Sequence, residues 1–241
     1  MGAKIYLDFL ASRDGRIQQD ILYKAIAARL PKQHSLRVFD AACGSGWLAG
    51  RLAENFAQIS ACDSSQSLLA AAAAAWPLLE FKMADIEQPL PYPPAYFDVV
   101  ILNMAAPDLN NLSAVFINLS YVTKPGGRLI ITVPNPELAY PAAVWKRSWL
   151  DVLVGRKPKL AKKAPPKSGS LIKREFVPKS LRLNSYYYSL DDYLAAAKSA
   201  GFHHKFAQQL RSASDSPNFD LAYRLCRHPL LLLLEFEKSF Q

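Results

Sequence analysis

The chain has 241 residues, 51% of them hydrophobic and 20% charged, with a formal net charge of +9. That is enough apolar sequence for a three-layer core in one domain. Its three cysteines, Cys43, Cys62 and Cys226, form no Cys-x-x-Cys pair, which argues for reduced thiols in a cytoplasmic setting, and no segment has the length of a membrane span.

Met1-Gly2-Ala3-Lys4 leads into an apolar stretch too short for a signal peptide, with Tyr6 where N-myristoylation prefers Ser or Thr. Residues Arg16 to Leu30 predict an amphipathic helix with Ile17, Ile21, Ala25 and Ala28 on one face and Pro31 after its end. Strands are expected near 36–41, 57–62, 79–83, 97–102 and 127–133, alternating with helical segments. Such alternation implies right-handed crossovers and a parallel sheet covered on both faces. The six alanines Ala70 to Ala75 read as helix, ended by Pro77. Leu190 to Ala197 reads as a helix stopped by Gly201. Phe202 to Leu210 and Phe219 to Cys226 read as two strands joined by the turn Ser212 to Asn218. The run Leu230 to Leu234 is too short to span a bilayer and is assigned to core or interface packing.

The stretch from Val38 to Ala49 is the most telling. An apolar strand runs into Asp40, passes the turn Ala41-Ala42-Cys43-Gly44-Ser45-Gly46, and opens onto a helix at Trp47. Glycines there let a nucleotide-type ligand approach the backbone, and the helix N-terminus faces it. Asp63 ends the second strand about 20 residues on, where an acid is placed to bind ribose hydroxyls. Because Ser64-Ser65-Gln66-Ser67 and a helical run follow, it is equally placed as a helix cap. Asp85 ends the third strand, and Lys124-Pro125-Gly126-Gly127 turns into the fifth. A dinucleotide and S-adenosyl-L-methionine both suit a glycine turn with a distal acid, and Asp40 separates them. A carboxylate at this turn repels a pyrophosphate and attracts the ammonium of S-adenosylmethionine.

On these residues the sequence resembles the class I S-adenosylmethionine-dependent methyltransferases, in particular the methyltransferase type 11 group. The resemblance covers residues 36–134 well and the C-terminal third in outline. It implies a Rossmann-like α/β fold: a doubly wound, mostly parallel seven-stranded sheet with an antiparallel last strand and a basic insertion after strand five. It also implies Asp63 on the ribose and Asp85 near the adenine. The family pattern has glycine where this chain has Ala42, which narrows the turn. The expected cofactor site comprises Tyr6, Asp40, Ala41, Ala42, Cys43, Gly44, Gly46, Asp63, Ser64, Ala84, Asp85, Ile86, Asn103 and Met104. Residues 1–31 are expected to form a helical lid, with Tyr6 in the part that caps the methionine end in related enzymes, and Tyr6 reads equally as core packing. The single domain then divides into this lid, a cofactor-binding core at 36–134, an insertion at 142–189 and a C-terminal part at 190–241.

The acceptor side is less determined. Asn103-Met104-Ala105-Ala106 lacks the Asn/Asp-Pro-Pro-aromatic signature of adenine amino methylation, and no Pro-Cys dipeptide supplies the nucleophile of cytosine-C5 chemistry. From Lys146 to Arg182 stand twelve Lys or Arg against Asp151 and Glu175, a net of +10, so the remainder of the chain is near neutral. Ala142, Trp145, Trp149 and Val152 predict a helical stripe beside Lys146 and Arg147, and Lys157 to Ser170 predicts a loop. Asp108, Trp145, Trp149 and Tyr187 are the substrate-side candidates. His203 and His204 are adjacent on a strand and face opposite ways, so no metal site is expected. No residue is placed as a general base. In-line attack by O, N, C or S on the sulfonium methyl rests chiefly on alignment. The favoured acceptor is a small molecule. Two other readings stand beside it: a nucleic acid, other polyanion or anionic surface docking on segment 146–182, and a non-catalytic interaction domain that keeps the fold.

Overall fold

The computed structural model describes residues 2–31, 35–55, 58–138, 143–146, 159–162, 165–175, 182–212, 226 and 228–240. Two helices, α1 (Gly2–Ala11) and α2 (Arg13–Ala27), precede the alternating part. Then come β1 (Arg37–Ala41), α3 (Trp47–Ala53), β2 (Gln58–Asp63), α4 (Gln66–Ala75), β3 (Phe81–Met83), β4 (Phe97–Asn103), α5 (Leu112–Val122) and β5 (Thr123–Pro134). Four short strands follow: β6 (Ala143–Lys146), β7 (Lys159–Lys162), β8 (Leu171–Glu175) and β9 (Arg182–Tyr186). The chain continues through α6 (Leu190–Ser199), β10 (Phe202–Leu210) and β11 (Leu231–Lys238).

Seven strands form one sheet in the order β10-β11-β5-β4-β1-β2-β3. Neighbours from β3 across to β5 are parallel, and β11 runs antiparallel to both β5 and β10. Pleating sends alternate side chains to opposite faces. Phe39, Val100, Leu102, Leu129 and Ile131 pack under α5 and α6, while Val38, Val99, Ile101 and Ile130 pack under α2 and α3. Both faces are covered, so these strands are apolar without alternation. The order reverses between β1 and β4, which opens a crevice at their carboxyl ends, where open α/β sheets bind ligands.

Several sequence expectations need correcting. The buried stripe of α2 is Leu22 and Ile26, continued by Leu30, not Ile17, Ile21, Ala25 and Ala28. The helix carries two apolar stripes, and the bulkier one takes the core. The antiparallel strand is the leucine run β11, inserted between β5 and β10. The expected strand 219–226 lies outside the described residues except for Cys226. Ala143 to Lys146 form a strand paired with β7, not part of a helix, and β7 interrupts the expected loop. Val144 and Trp145 are residue types that suit a pleated ribbon. Trp149 lies outside the described residues. A second antiparallel pair joins β8 to β9.

The last strand carries a charge into the core. Glu235 of β11 is 3% exposed and is ion-paired with Arg29 at 2.5 Å and Arg128 at 3.3 Å. These two guanidiniums tie the last strand to the end of α2 and to β5, and removing either leaves a buried charge short of a partner.

Candidate cofactor and active site

The carboxyl ends of β1, β2 and β4 enclose a cavity of about 330 Å³. One wall is the turn after β1, represented by Ala42 and Gly44, with Asp63, Ser64, Ser65 and Leu68 beside it. The opposite wall follows β4: Asn103, Met104, Ala105, Asp108 and Leu109. Ala3, Tyr6 and Phe9 of α1 and Gln18 of α2 form the roof.

The turn is bound from both sides. Cys43 N–H donates to Cys62 O at 2.8 Å, and Gly46 N–H to Cys43 O at 3.0 Å. Gly44 N–H donates to Asp63 Oδ2 at 2.8 Å, and Ser65 N–H to Asp63 Oδ1 at 2.8 Å. Asp63 is therefore both a clamp on the turn and part of the cavity wall. A methyl added at Gly44 would lie 3.6 Å from Tyr6 Cε1, so the Tyr6 ring sits directly over the turn. Gly46 has a different role: it is absent from the wall, and a Cβ there would come within 2.7 Å of the Phe81 ring.

Two non-glycine wall residues have left-handed backbones, Ala42 at φ 56° and Met104 at φ 60°. Such conformations cost L-residues energy and cluster where a fold is built around a ligand. Met104 is held by its N–H donating to Thr132 O at 2.8 Å. The Thr132 hydroxyl donates to Asn103 Oδ1 at 2.6 Å, so the Asn103 amide has its oxygen toward the sheet.

Asp40 shares a face with Val38 and sits under α3, off the cavity wall and 1% exposed. Burial, reinforced by the nearby Asp63 charge, pushes its carboxyl up to about 7, although the Ala49 N–H hydrogen bond opposes the shift. Its Oδ2 has no hydrogen-bond partner among the described residues. Burial also raises the thiols of Cys43 and Cys62, the latter to about 12, so neither is an activated nucleophile.

Of the other expected residues, Ala41 is core and Cys43 lies behind the turn. Ala84 N–H donates to Asp63 O at 3.0 Å, Ile86 is buried in the core, and exposed Asp85 accepts from Glu87 N–H at 2.9 Å. None of these three lines the cavity. Tyr187 is buried and pinned by its backbone to Gly169 and Ser170, away from the wall. Asp108 does line the cavity, and its Oδ1 accepts from the Ser185 hydroxyl of β9 at 2.9 Å. The sequence reading missed Ala3, Phe9, Gln18, Ser65, Leu68 and Leu109. The spacing of Ala3, Tyr6 and Phe9, one face of a helix, is the signal that would have found two of them.

Residues 39–131, the glycine turn through β5, match the family model described as a methyltransferase domain. The match takes in 93 of the 241 residues and likens this part of the chain to a methyltransferase domain. The malonyl-[acyl-carrier protein] O-methyltransferase of Enterobacter lignolyticus is 34% identical over 108 residues, 45% of this chain and 43% of that protein. Human methyltransferase-like protein 27 is 32% identical over 125 residues, 51% of this chain and 49% of that one. The chain thus spans about half the length of the curated relatives it matches. Among solved structures, an S-adenosylmethionine-dependent methyltransferase from Mesorhizobium loti superposes with a TM-score of 0.71 at 22% identity, covering 92% of this chain and 100% of that one. Among the described residues, no helix is long and apolar enough to cross a membrane.

Proposed function

We propose that this chain transfers the methyl group of S-adenosylmethionine to a small-molecule acceptor held in the crevice between β1 and β4. The observation that carries the reading is the cavity itself: a glycine turn, a strand-tip carboxylate and a helical roof converge at the sheet's reversal point. The cofactor supplies an electrophilic methyl on sulfonium. The protein's residues supply position. Asp63, already aligned by two backbone N–H groups, takes the ribose hydroxyls on its remaining lone pairs. Asp40, buried beneath the turn with one unpartnered oxygen, contributes from behind the wall a negative charge that suits an ammonium once it deprotonates near neutral pH. Tyr6 and Phe9 exclude solvent from above. Asp85, which the family resemblance puts near the adenine, follows β3 and lies off the cavity wall. Transfer quenches charge, so alignment of the acceptor against the methyl is the main source of rate.

The name of the Enterobacter relative, an O-methyltransferase acting on a carrier-bound acyl group, supports oxygen on a small or tethered molecule as the acceptor atom. The basic segment 146–182 belongs to the acceptor side in this reading, since β9 reaches the cavity mouth through Ser185. Titration calorimetry with S-adenosylhomocysteine tests the cofactor half. One site is expected in the parent, and Asp63→Ala should lose about 1–3 kcal/mol of affinity. A parent that does not bind, or a folded Asp63→Ala variant that binds equally well, refutes it.

A further inference from the structure

We infer that the Asn103 amide is the donor that holds a carboxylate in this cavity, with Thr132 as its positioning residue and Gln18 supplying a second amide from the roof. This rests on the proposed methyl transfer and deepens it by assigning the group that recognises the carboxylate.

The sheet brings the pair together. Asn103 ends β4 in register with Thr132 of β5, and Met104 N–H donates to Thr132 O at 2.8 Å just beyond it. Alternation puts both side chains on the face of Ile101 and Ile130, which Leu22 and Ile26 of α2 cover. Thr132 is fully buried, and its hydroxyl donates to Asn103 Oδ1 at 2.6 Å. Turning the amide over would set its N–H2 against that hydroxyl and leave the buried hydroxyl proton without its acceptor. Asn103 therefore keeps its oxygen toward the sheet and presents its N–H2 to the cavity that it lines. Neither this N–H2 nor the Gln18 amide has a hydrogen-bond partner among the described residues, and Gln18 lines the same cavity from α2. A fixed N–H2 left unpaired on a ligand cavity calls for an acceptor oxygen on the ligand.

The setting indicates which oxygen. Asp40 lies on the same sheet face one strand away, in register with Ile101, two residues before Asn103. A negative charge there draws the ammonium of an amino-acid head group. The carboxylate of that head group then falls toward the neighbouring strand tip, where Asn103 stands. The side-chain nitrogens on the described wall are those of Asn103 and Gln18, both neutral amides. Amide N–H groups bind a carboxylate by charge-assisted hydrogen bonds without adding a cation beside the ammonium or the sulfonium. The carboxylate has two possible sources, the methionine end of the cofactor and the acceptor itself.

Calorimetry separates the two sources. S-adenosyl-3-thiopropylamine keeps the nucleoside, the thioether and the ammonium of S-adenosylhomocysteine and lacks only the carboxylate. Both compounds are titrated into the parent, into Asn103→Leu, which removes the amide at similar volume, and into Thr132→Val, which leaves the amide but removes its anchor. If the cofactor supplies the carboxylate, Asn103→Leu should weaken S-adenosylhomocysteine by about tenfold or more and leave the amine within a factor of about two, the loss of a charge-assisted hydrogen bond. Thr132→Val should show the same bias at smaller size, and it serves alone if Asn103→Leu does not fold. If the acceptor supplies the carboxylate, the two compounds keep their ratio, and malonate should bind the parent saturated with S-adenosylhomocysteine but not the variants. An unchanged ratio with malonate binding absent or unaltered overturns the inference. So does an equal loss of both nucleosides, which would make Asn103 merely structural. A parent that binds neither nucleoside refutes the methyl-transfer reading itself.

Discussion

Gly46→Ala distinguishes a glycine kept for packing from one kept for ligand approach. Gly46 caps α3 at φ 69°, and an added Cβ would lie 2.7 Å from Cε1 and Cζ of Phe81 and 3.0 Å from the Ala72 methyl. The left-handed backbone costs an L-residue about 1–2 kcal/mol. Overpacking adds about 1–3 kcal/mol, and the lower end applies because Phe81 is half-buried on a three-residue strand and its ring has room to tilt. The expected loss is about 2–3 kcal/mol, which for a chain of this size lowers the melting temperature by about 4–12 °C. Scanning calorimetry and urea titration measure it. S-adenosylhomocysteine affinity should change much less, since Gly46 is off the cavity wall. Adding Phe81→Leu removes the collision but not the backbone strain, so the double variant should show a favourable coupling of about 1 kcal/mol. A loss below about 0.5 kcal/mol, the range of ordinary surface changes, or no coupling with Phe81 would refute the packing argument.

Three further outcomes follow from the same geometry. Asp40 titrates at about 7 in the folded chain against an ordinary 3.8, so the unfolded chain releases its proton first as pH rises; the group therefore costs stability progressively across that window, and Asp40→Asn should gain on the parent at pH 8 but not at pH 4. Urea midpoints at the two pH values that differ by the same amount would contradict this. Saturation with S-adenosylhomocysteine should slow amide exchange in α1 and the first two turns of α2, because Ala3, Tyr6, Phe9 and Gln18 roof the cavity, and exchange mass spectrometry showing no protection there would remove the lid. Replacing Lys157, Lys159, Lys162, Lys163 and Lys167 together by glutamine should leave cofactor affinity intact and raise the acceptor KM only mildly, since a small anion engages one or two of these charges; a steep rise with loss of salt dependence would indicate a polyanion instead.

The parallel half of the sheet was legible because its signals are local. An apolar run, an acid at its tip and a glycine turn are read within a dozen residues, as from Val38 to Gly46. The last strand was not, because β11 is buried on both faces: Leu230 to Leu234 carries no alternation and reads as packing of any kind. Glu235 then looks like a strand breaker until Arg29 and Arg128, more than a hundred residues away, are brought to it. At the site, Asp63 was placed from spacing alone, whereas the roof depends on how α1 folds back across Ser12, which caps α2 by accepting from Gly15 N–H at 3.1 Å. Asp40 illustrates the opposite limit. Its position at the strand tip was readable, but the pleat decides which face it takes, and that places it beneath α3 rather than on the cavity wall.

The position of β11 has a consequence for biosynthesis. It lies between β5 and β10 although it follows both in the chain. While the polypeptide is being made, the long apolar strand β5 therefore presents an open edge, and β10 has no neighbour on which to register. The wedge strand must slide into a gap whose two sides already exist, and its Glu235 must find two waiting arginines on the way. Pairings of this sequence separation form slowly and leave unpaired edges exposed in the meantime. The nascent chain thus spends the interval between synthesis of β5 and arrival of β11 as its period of greatest aggregation risk. Holding that edge covered is what a chaperone would contribute to this fold.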